Sequence, residues 1–380
     1  MTDACDDCVR RSHLLARLAP HIERAAIDRP GRRAPELLAL DDAALVAAVG
    51  GSRRHEILAA HRAADPAELR RRAACAGCWA VCRHASGYPE ALRDLGFEAP
   101  AALFGCGALD VVRGLDPGTV VTIVGARRAS AYGLGVGEQL ARVLGAAGLG
   151  VVSGMANGID SRAHAGALDG GGTTVAVLGG GADVPYPRRQ ARLHRRIRAN
   201  GGAVVSEMPP GTASFRWSFP ARNRLMAALS RITVVVEAAE RSGSLITATM
   251  ALELGRDVGA VPGPVNAWLS AGTNQLLADG AEVVRDAQDV LDRLLGAGCC
   301  NVRELGPEID AGLREVLERV EGGETTCDAV ALAGGRLAHE VSSALARLEL
   351  LGYLTSDHTG RYSRTPLVAP PAAAQLPSSG

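Results

Sequence analysis

Several short turns in this 380-residue chain join glycine to hydroxyl or guanidinium groups, a combination suited to holding anions. Gly125-Ala126-Arg127-Arg128-Ala129-Ser130 follows an apolar run and opens a helical segment. Backbone N–H groups freed by glycine, the positive end of a helix and two guanidinium groups make phosphate-binding equipment. Ser153-Gly154 and Ser242-Gly243-Ser244 repeat the arrangement after later apolar runs. All 41 basic residues are arginine, because the chain contains no lysine. That excludes P-loop nucleotide hydrolysis and Schiff-base chemistry, both of which require a lysine amine. A dinucleotide fingerprint is excluded too: the glycines of the first turn are wrongly spaced, and no ribose-binding acid follows the second apolar run. Gly133, Gly135 and Gly137 fall inside a helical segment, where close helix–sheet packing is the expected role.

A second group of residues adds ring faces to the charges. Aromatics make up 3% of the chain, yet Phe215, Trp217 and Phe219 stand within five positions, among Arg216, Arg222, Asn223 and Arg224. Rings that stack bases and guanidinium groups that clamp a backbone are what a single nucleic-acid strand requires, with core packing as the alternative use of the rings. Arg188, Arg189, Arg192, Arg195 and Arg196 fall within about a third of a helix circumference, giving a basic stripe suited to a phosphate backbone. Asp160 and His164 lie one helical turn apart, but with no nucleophile at hand a capping or hydrogen-bonding role is expected. Cys5-x-x-Cys8 and Cys75-x-x-Cys78, with Cys82 beyond, offer thiolates for a structural zinc. The alternative is a set of small buried thiols in an Ala-rich core, and on that reading no cofactor is expected.

Composition bounds the elements that must position these groups. Hydrophobic residues reach 47% and charged residues 22%, with mean hydropathy +0.08, so the chain is globular rather than disordered. Acids and bases balance at 41 each, so any affinity for polyanions comes from local placement. The acidic start, Met1 to Asp7, lacks a signal-peptide core, and no run approaches the about 18 apolar residues of a membrane span. A cytoplasmic protein with reduced thiols is expected.

Residues 1–115 show helical spacing, as at Leu14, Leu15, Leu18 and Ile22, and are expected to form a helical domain. From 116 to 296, apolar runs such as Val120–Val124, Thr174–Leu178 and Thr233–Val236 alternate with helical segments. Runs apolar at every position belong to strands buried on both faces, which predicts an α/β fold with a doubly wound, mostly parallel Rossmann-like sheet. Over 305–365 the order helix, helix, turn, helix, hairpin reads as a winged helix. Its third helix carries Glu340 and Glu349 against Arg336, His339 and Arg347, a mix that favours protein contact over reading a duplex. The proline- and alanine-rich tail, 366–380, is expected to be disordered.

The stretch from Val124 to Ala281 resembles the DNA-processing protein A family (DprA, also called Smf), mediators of recombination in natural transformation. The resemblance is carried by Gly125-x-Arg127-x-x-Ser130, Ser153-Gly154-x-Ala156-x-Gly158-Ile159-Asp160, Tyr186-Pro187 and Phe219-Pro220-x-Arg222-Asn223-Arg224. Ser242-Gly243-Ser244-Leu245-Ile246-Thr247, Pro262-Gly263 and Gly272-Thr273-Asn274 continue it in order. It implies a non-catalytic homodimer that binds single-stranded DNA and loads the RecA recombinase, with no membrane association. Carried over, Arg127 grips a phosphate with Ser130 and Gly125, and Phe219 stacks a base. Arg222, Asn223 and Arg224 shape the floor, Gly243 and Ser244 add donors beside Ser153 and Gly154, and Arg188, Arg189 and Arg216 extend the path. Two rival readings stand beside it: a nucleotide-processing Rossmann enzyme of the phosphoribohydrolase type, and a winged-helix regulator with an α/β sensor.

Overall fold

The computed structural model describes residues 2–28, 34–299, 306–357, 359–365 and 367–369, divided between two compact units, Met1–Cys300 and Asn301–Gly380. The first unit is built on a ten-stranded sheet. Its strands are β1 (Thr2–Asp3), β2 (Trp79–Cys82), β3 (Ala102–Gly107), β4 (Val120–Val124), β5 (Gly150–Ser153), β6 (Thr174–Val177), β7 (Ala203–Ser206), β8 (Ile232–Val235), β9 (Asp257–Ala260) and β10 (Glu282–Val283). They lie in the order β1-β2-β3-β7-β6-β5-β4-β8-β9-β10. Strands β4 to β10 are mutually parallel, whereas β3 runs antiparallel to both β7 and β2. Every residue of β4, β6, β7 and β8 is buried, as continuous apolar runs require when helices cover both faces.

The helices are α1 (Asp6–Asp28), α2 (Ala34–Leu38), α3 (Asp42–Val49), α4 (Arg54–Ala63), α5 (Pro66–Cys75), α6 (Leu109–Arg113), α7 (Ala131–Ala146), α8 (Ile159–Asp169), α9 (Ala191–Ala199), α10 (Ser218–Leu229), α11 (Gly243–Glu253), α12 (Ala271–Ala278) and α13 (Ala287–Leu295). From β4 the chain winds outward through β5, β6 and β7, then returns to the other side of β4 to lay down β8, β9 and β10. The strand order therefore reverses between β4 and β8, and a crevice opens at their carboxyl ends, where such sheets hold ligands.

Residues 1–115 do not stand apart as a helical domain. Leu14, Leu18, Ile22, Leu45 and Val46 do form a buried helical cluster, but it closes over Met208, Trp217 and Ala221 from the sheet region. In addition, β1, β2 and β3 extend the sheet itself. Trp79-Ala80-Val81-Cys82 and Ala102-Leu103-Phe104-Gly105 have few β-branched residues, and their partner strands rather than local propensity make them strands.

In the second unit α14 (Ala311–Glu321), α15 (Cys327–Gly334) and α16 (Ala338–Leu350) precede an antiparallel pair, β11 (Leu354–Ser356) and β12 (Tyr362–Arg364). Leu313, Val316, Leu317, Val341, Leu345, Leu348 and Tyr353 form its core. Thr326 caps α15 by accepting from the Ala329 N–H at 3.2 Å. Of the tail at 366–380, all but 367–369 lies outside the described residues.

Candidate nucleic-acid interface

The crevice between β4 and β8 is a cleft of about 480 Å³, lined by Gly125–Arg128, Asp160, Phe219, Arg222, Asn223, Arg241–Ser244 and Trp268 among others. The two loops that flank it are tied together: the Ala126 N–H donates to the Glu237 carbonyl at 2.6 Å. Gly125 permits this closeness, because a Cβ there would stand 2.6 Å from Ile159 Cγ1 and 3.0 Å from the Glu237 carbonyl oxygen.

Ser130 has a different job from the phosphate donor expected of it. Its hydroxyl accepts from the Gly133 N–H at 3.0 Å, capping α7, and donates to Glu237 Oε1 at 2.7 Å. Its own N–H donates to Glu237 Oε2 at 2.8 Å. The hydroxyl is fully committed inside the loop pair, and it lies outside the lining of the cleft. Ser153 is likewise withdrawn: it is buried and donates to the Ile123 carbonyl at 2.7 Å.

Arg127 and Arg128 are exposed at the end of β4. The Arg127 guanidinium stands over the Phe219 ring, 5.4 Å from its centroid, and the Tyr186 ring lies 5.1 Å from the same ring at 36°. Phe219 enters from the first turn of α10. The other two aromatics of its run point elsewhere. Trp217 is buried in the helical cluster, where its indole donates to the Ala19 carbonyl at 3.0 Å, and Phe215 packs against the same cluster. Core packing thus claims two rings of the three.

One turn along α10, Arg222 forms the buried floor of the cleft. Its guanidinium donates to the Gly154 carbonyl at 2.6 Å, to the Val177 carbonyl, and to Asn223 Oδ1 at 3.1 Å. Asp160 faces it at 3.9 Å. Gly154 serves this contact, since a Cβ there would lie 2.1 Å from Arg222 Nη2. Burial pulls the Arg222 pKa down to about 10, which leaves it cationic at neutral pH, and burial raises that of Asp160. Asn223 lines the cleft and donates to the Gly243 carbonyl at 3.3 Å. Gly243 and Ser244 open α11 at the cleft wall, with the Ser242 and Ser244 hydroxyls 2.7 Å apart.

Arg224 does not belong to the cleft. It is buried and forks onto Glu207 at 2.9 and 2.7 Å, with further donation to the Glu98 carbonyl at 3.0 Å. Three positions after Ala221 on a helix, its side chain leaves on the side that faces away from the cleft lining. Arg188, Arg189 and Arg216 are exposed, outside the cleft lining. Arg189 donates to Asn157 Oδ1, and Asn157 helps line a small side pocket of about 70 Å³ shared by Arg127, Tyr186 and Phe219. Arg196, on the stripe, is paired with Asp169. His164 is buried, bonded through Nδ1 to the Thr174 hydroxyl at 2.7 Å, and burial lowers its pKa to about 3.

Glu237 and Arg241 precede the Ser242 turn in the sequence but are not among the expected site residues, and Trp268 carries no motif to mark it. Arg241 directly precedes the Ser242 turn, and Trp268 is one of three tryptophans yet 69% exposed, a use of a scarce ring that core packing does not explain. The cysteine set also differs from the one expected. Cys75 is exposed, and Cys78 is buried with its Sγ 2.7 Å from that of Cys106. Cys5 and Cys8 instead lie beside Cys82 and His84. The expected pairing of the two C-x-x-C spacings fails on distance along the chain: Cys75 ends α5 and Cys78 precedes β2, whereas Cys82 ends that strand, about 13 Å of extended backbone beyond Cys78.

Residues 79–295 match the model of the family described as DNA recombination-mediator protein A. The chain belongs to that family. The match begins at β2 and ends with α13, so α1 to α5 and the second unit lie outside it. The putatively named DNA processing protein DprA of Mycobacterium tuberculosis is 44% identical over 246 residues, 63% of each chain. The match therefore spans less than two thirds of that relative's length. Protein Smf of Escherichia coli is 38% identical over 267 residues, 68% of this chain and 70% of that one. The crystal structure of DNA processing protein A from Streptococcus pneumoniae covers 76% of this chain and 98% of its own, with 32% identity and a TM-score of 0.59. Among the described residues, no helix is long and apolar enough to cross a membrane.

Proposed function

We propose that this chain binds single-stranded DNA along the cleft between β4 and β8 and, without catalysing a reaction, delivers the strand to the RecA recombinase during recombination and natural transformation. One observation carries the reading: the Arg127 guanidinium and the Phe219 ring occupy the same mouth of the cleft, 5.4 Å apart. A charge that can hold a phosphate and a face that can stack a base thus meet within one nucleotide's reach. Family membership and relatives named for DNA processing agree with it. A non-catalytic role fits the committed hydroxyl of Ser130 and the buried Asp160, whose carboxylate faces Arg222 at 3.9 Å. On this reading the protein works as a cytoplasmic homodimer. Its second unit is a winged helix whose mixed-charge third helix contacts protein.

Fluorescence anisotropy with labelled oligo-dT, a duplex of equal length and free nucleotides tests the first step. Tight binding of the oligo-dT with weak binding of the other two is expected; preference for duplex or nucleotide would overturn the reading. RecA nucleation on the bound strand, followed with and without the protein, tests delivery.

A further inference from the structure

We propose that Cys5, Cys8, Cys82 and His84 bind a structural zinc ion that fastens the amino-terminal segment to the border of the sheet. The four ligand atoms lie within 4.8 Å of one another. Cys5 Sγ and Cys8 Sγ stand 3.4 and 3.5 Å from His84 Nδ1. A tetrahedron with zinc–sulfur bonds of about 2.3 Å and zinc–nitrogen bonds of about 2.0 Å has corners about 3.5–3.8 Å apart, so a small contraction seats the ion. Three cysteines and one histidine form a donor set typical of structural zinc, with no corner left open for a substrate.

The fold supplies what the sequence spacing hides. Cys5 precedes α1 and Cys8 sits in its first turn, while Cys82 ends β2 and His84 follows two residues on. Parallel pairing of Thr2 with Ala80 and of Asp3 with Val81 brings the two arms together across 77 residues of chain. The Cys5 N–H already donates to Cys82 Sγ at 3.3 Å, the kind of outer contact that orients a thiolate ligand. Two ladder pairs are a weak hold on a chain end. A shared metal at that point is a strong one.

Zinc content of the reduced full-length chain, purified from zinc-supplemented culture and dialysed, is the first measurement; about one ion per chain is expected for a closed four-ligand site. Cobalt substitution should give the intense visible bands of tetrahedral, thiolate-bound cobalt. Cys82→Ser and His84→Ala should lose the metal, whereas Cys75→Ser and Cys78→Ser keep it. His84→Cys should retain zinc, which guards against loss through misfolding, since His84 is exposed. Less than about a tenth of a zinc after anaerobic reconstitution, retention by both Cys82→Ser and His84→Ala, or iron in place of zinc would overturn the assignment.

Discussion

At the scale of single residues, the arginines divide into those that can meet a ligand and those spent on the fold. Arg127 has its guanidinium over a ring at the cleft mouth, so Arg127→Ala should weaken oligo-dT binding by about 1–3 kcal/mol through a lost charge-assisted contact while leaving thermal stability in place. Phe219→Ala should cost about 1–3 kcal/mol of binding if the ring stacks a base, and anisotropy titrations measure both. Arg224 should behave in the opposite way. It is buried in a fork with Glu207, so Arg224→Ala leaves an uncompensated carboxylate and should lower unfolding free energy by about 3–5 kcal/mol in denaturant titrations. An Arg224→Ala chain that keeps wild-type stability and loses only DNA binding would return this residue to the cleft. Arg222 and Arg224 share one motif and look alike in one dimension. Only their places around α10 send one to the cleft floor and the other to Glu207.

At the scale of elements, the parallel strands and their order along the chain were legible because burial on both faces leaves a continuous apolar run. Helix caps are local too, though for another reason: a short side chain bearing oxygen accepts a free N–H of the first turn, as Asp41 does from Ala44 at 2.8 Å and Thr326 from Ala329 at 3.2 Å. Less legible were β2 and β3, which hold a single β-branched residue, Val81, between them and whose conformation is set by neighbours distant in sequence. The site was legible to a matching degree. Turns at strand ends pointed to the cleft, but hydroxyls in those turns could not be sorted into ligand donors and helix caps until Glu237 was seen opposite Ser130. Ser130→Ala should therefore reduce stability by about 0.5–2 kcal/mol, with thermal melting as the measurement and little change in affinity for DNA once the chain is folded.

At the scale of the whole molecule, charge and protonation set the conditions under which it works. Affinity for oligo-dT should fall steeply with salt, because phosphates held by guanidinium groups release counterions; a flat response between low and physiological salt would remove the arginines from the contact. Acid should destabilise the fold. Burial lowers His164 to about 3 and His13 to about 4, whereas both sit near 6.5 when unfolded. As pH drops below about 6.5 the unfolded chain takes up protons that the folded chain refuses, so stability present at neutral pH is lost at up to about 1.4 kcal/mol per pH unit for each imidazole. Urea titrations at pH 7.5 and 5 measure the slope, and His164→Asn should reduce it to the part that His13 supplies. The two outermost strands, Thr2–Asp3 and Glu282–Val283, are two residues each and both carry an acid. A molecule whose formal charges cancel has little mutual repulsion to keep its copies apart at high concentration, and such stunted, charged margins deny a neighbouring copy the long unpaired backbone it would need to begin a fibril.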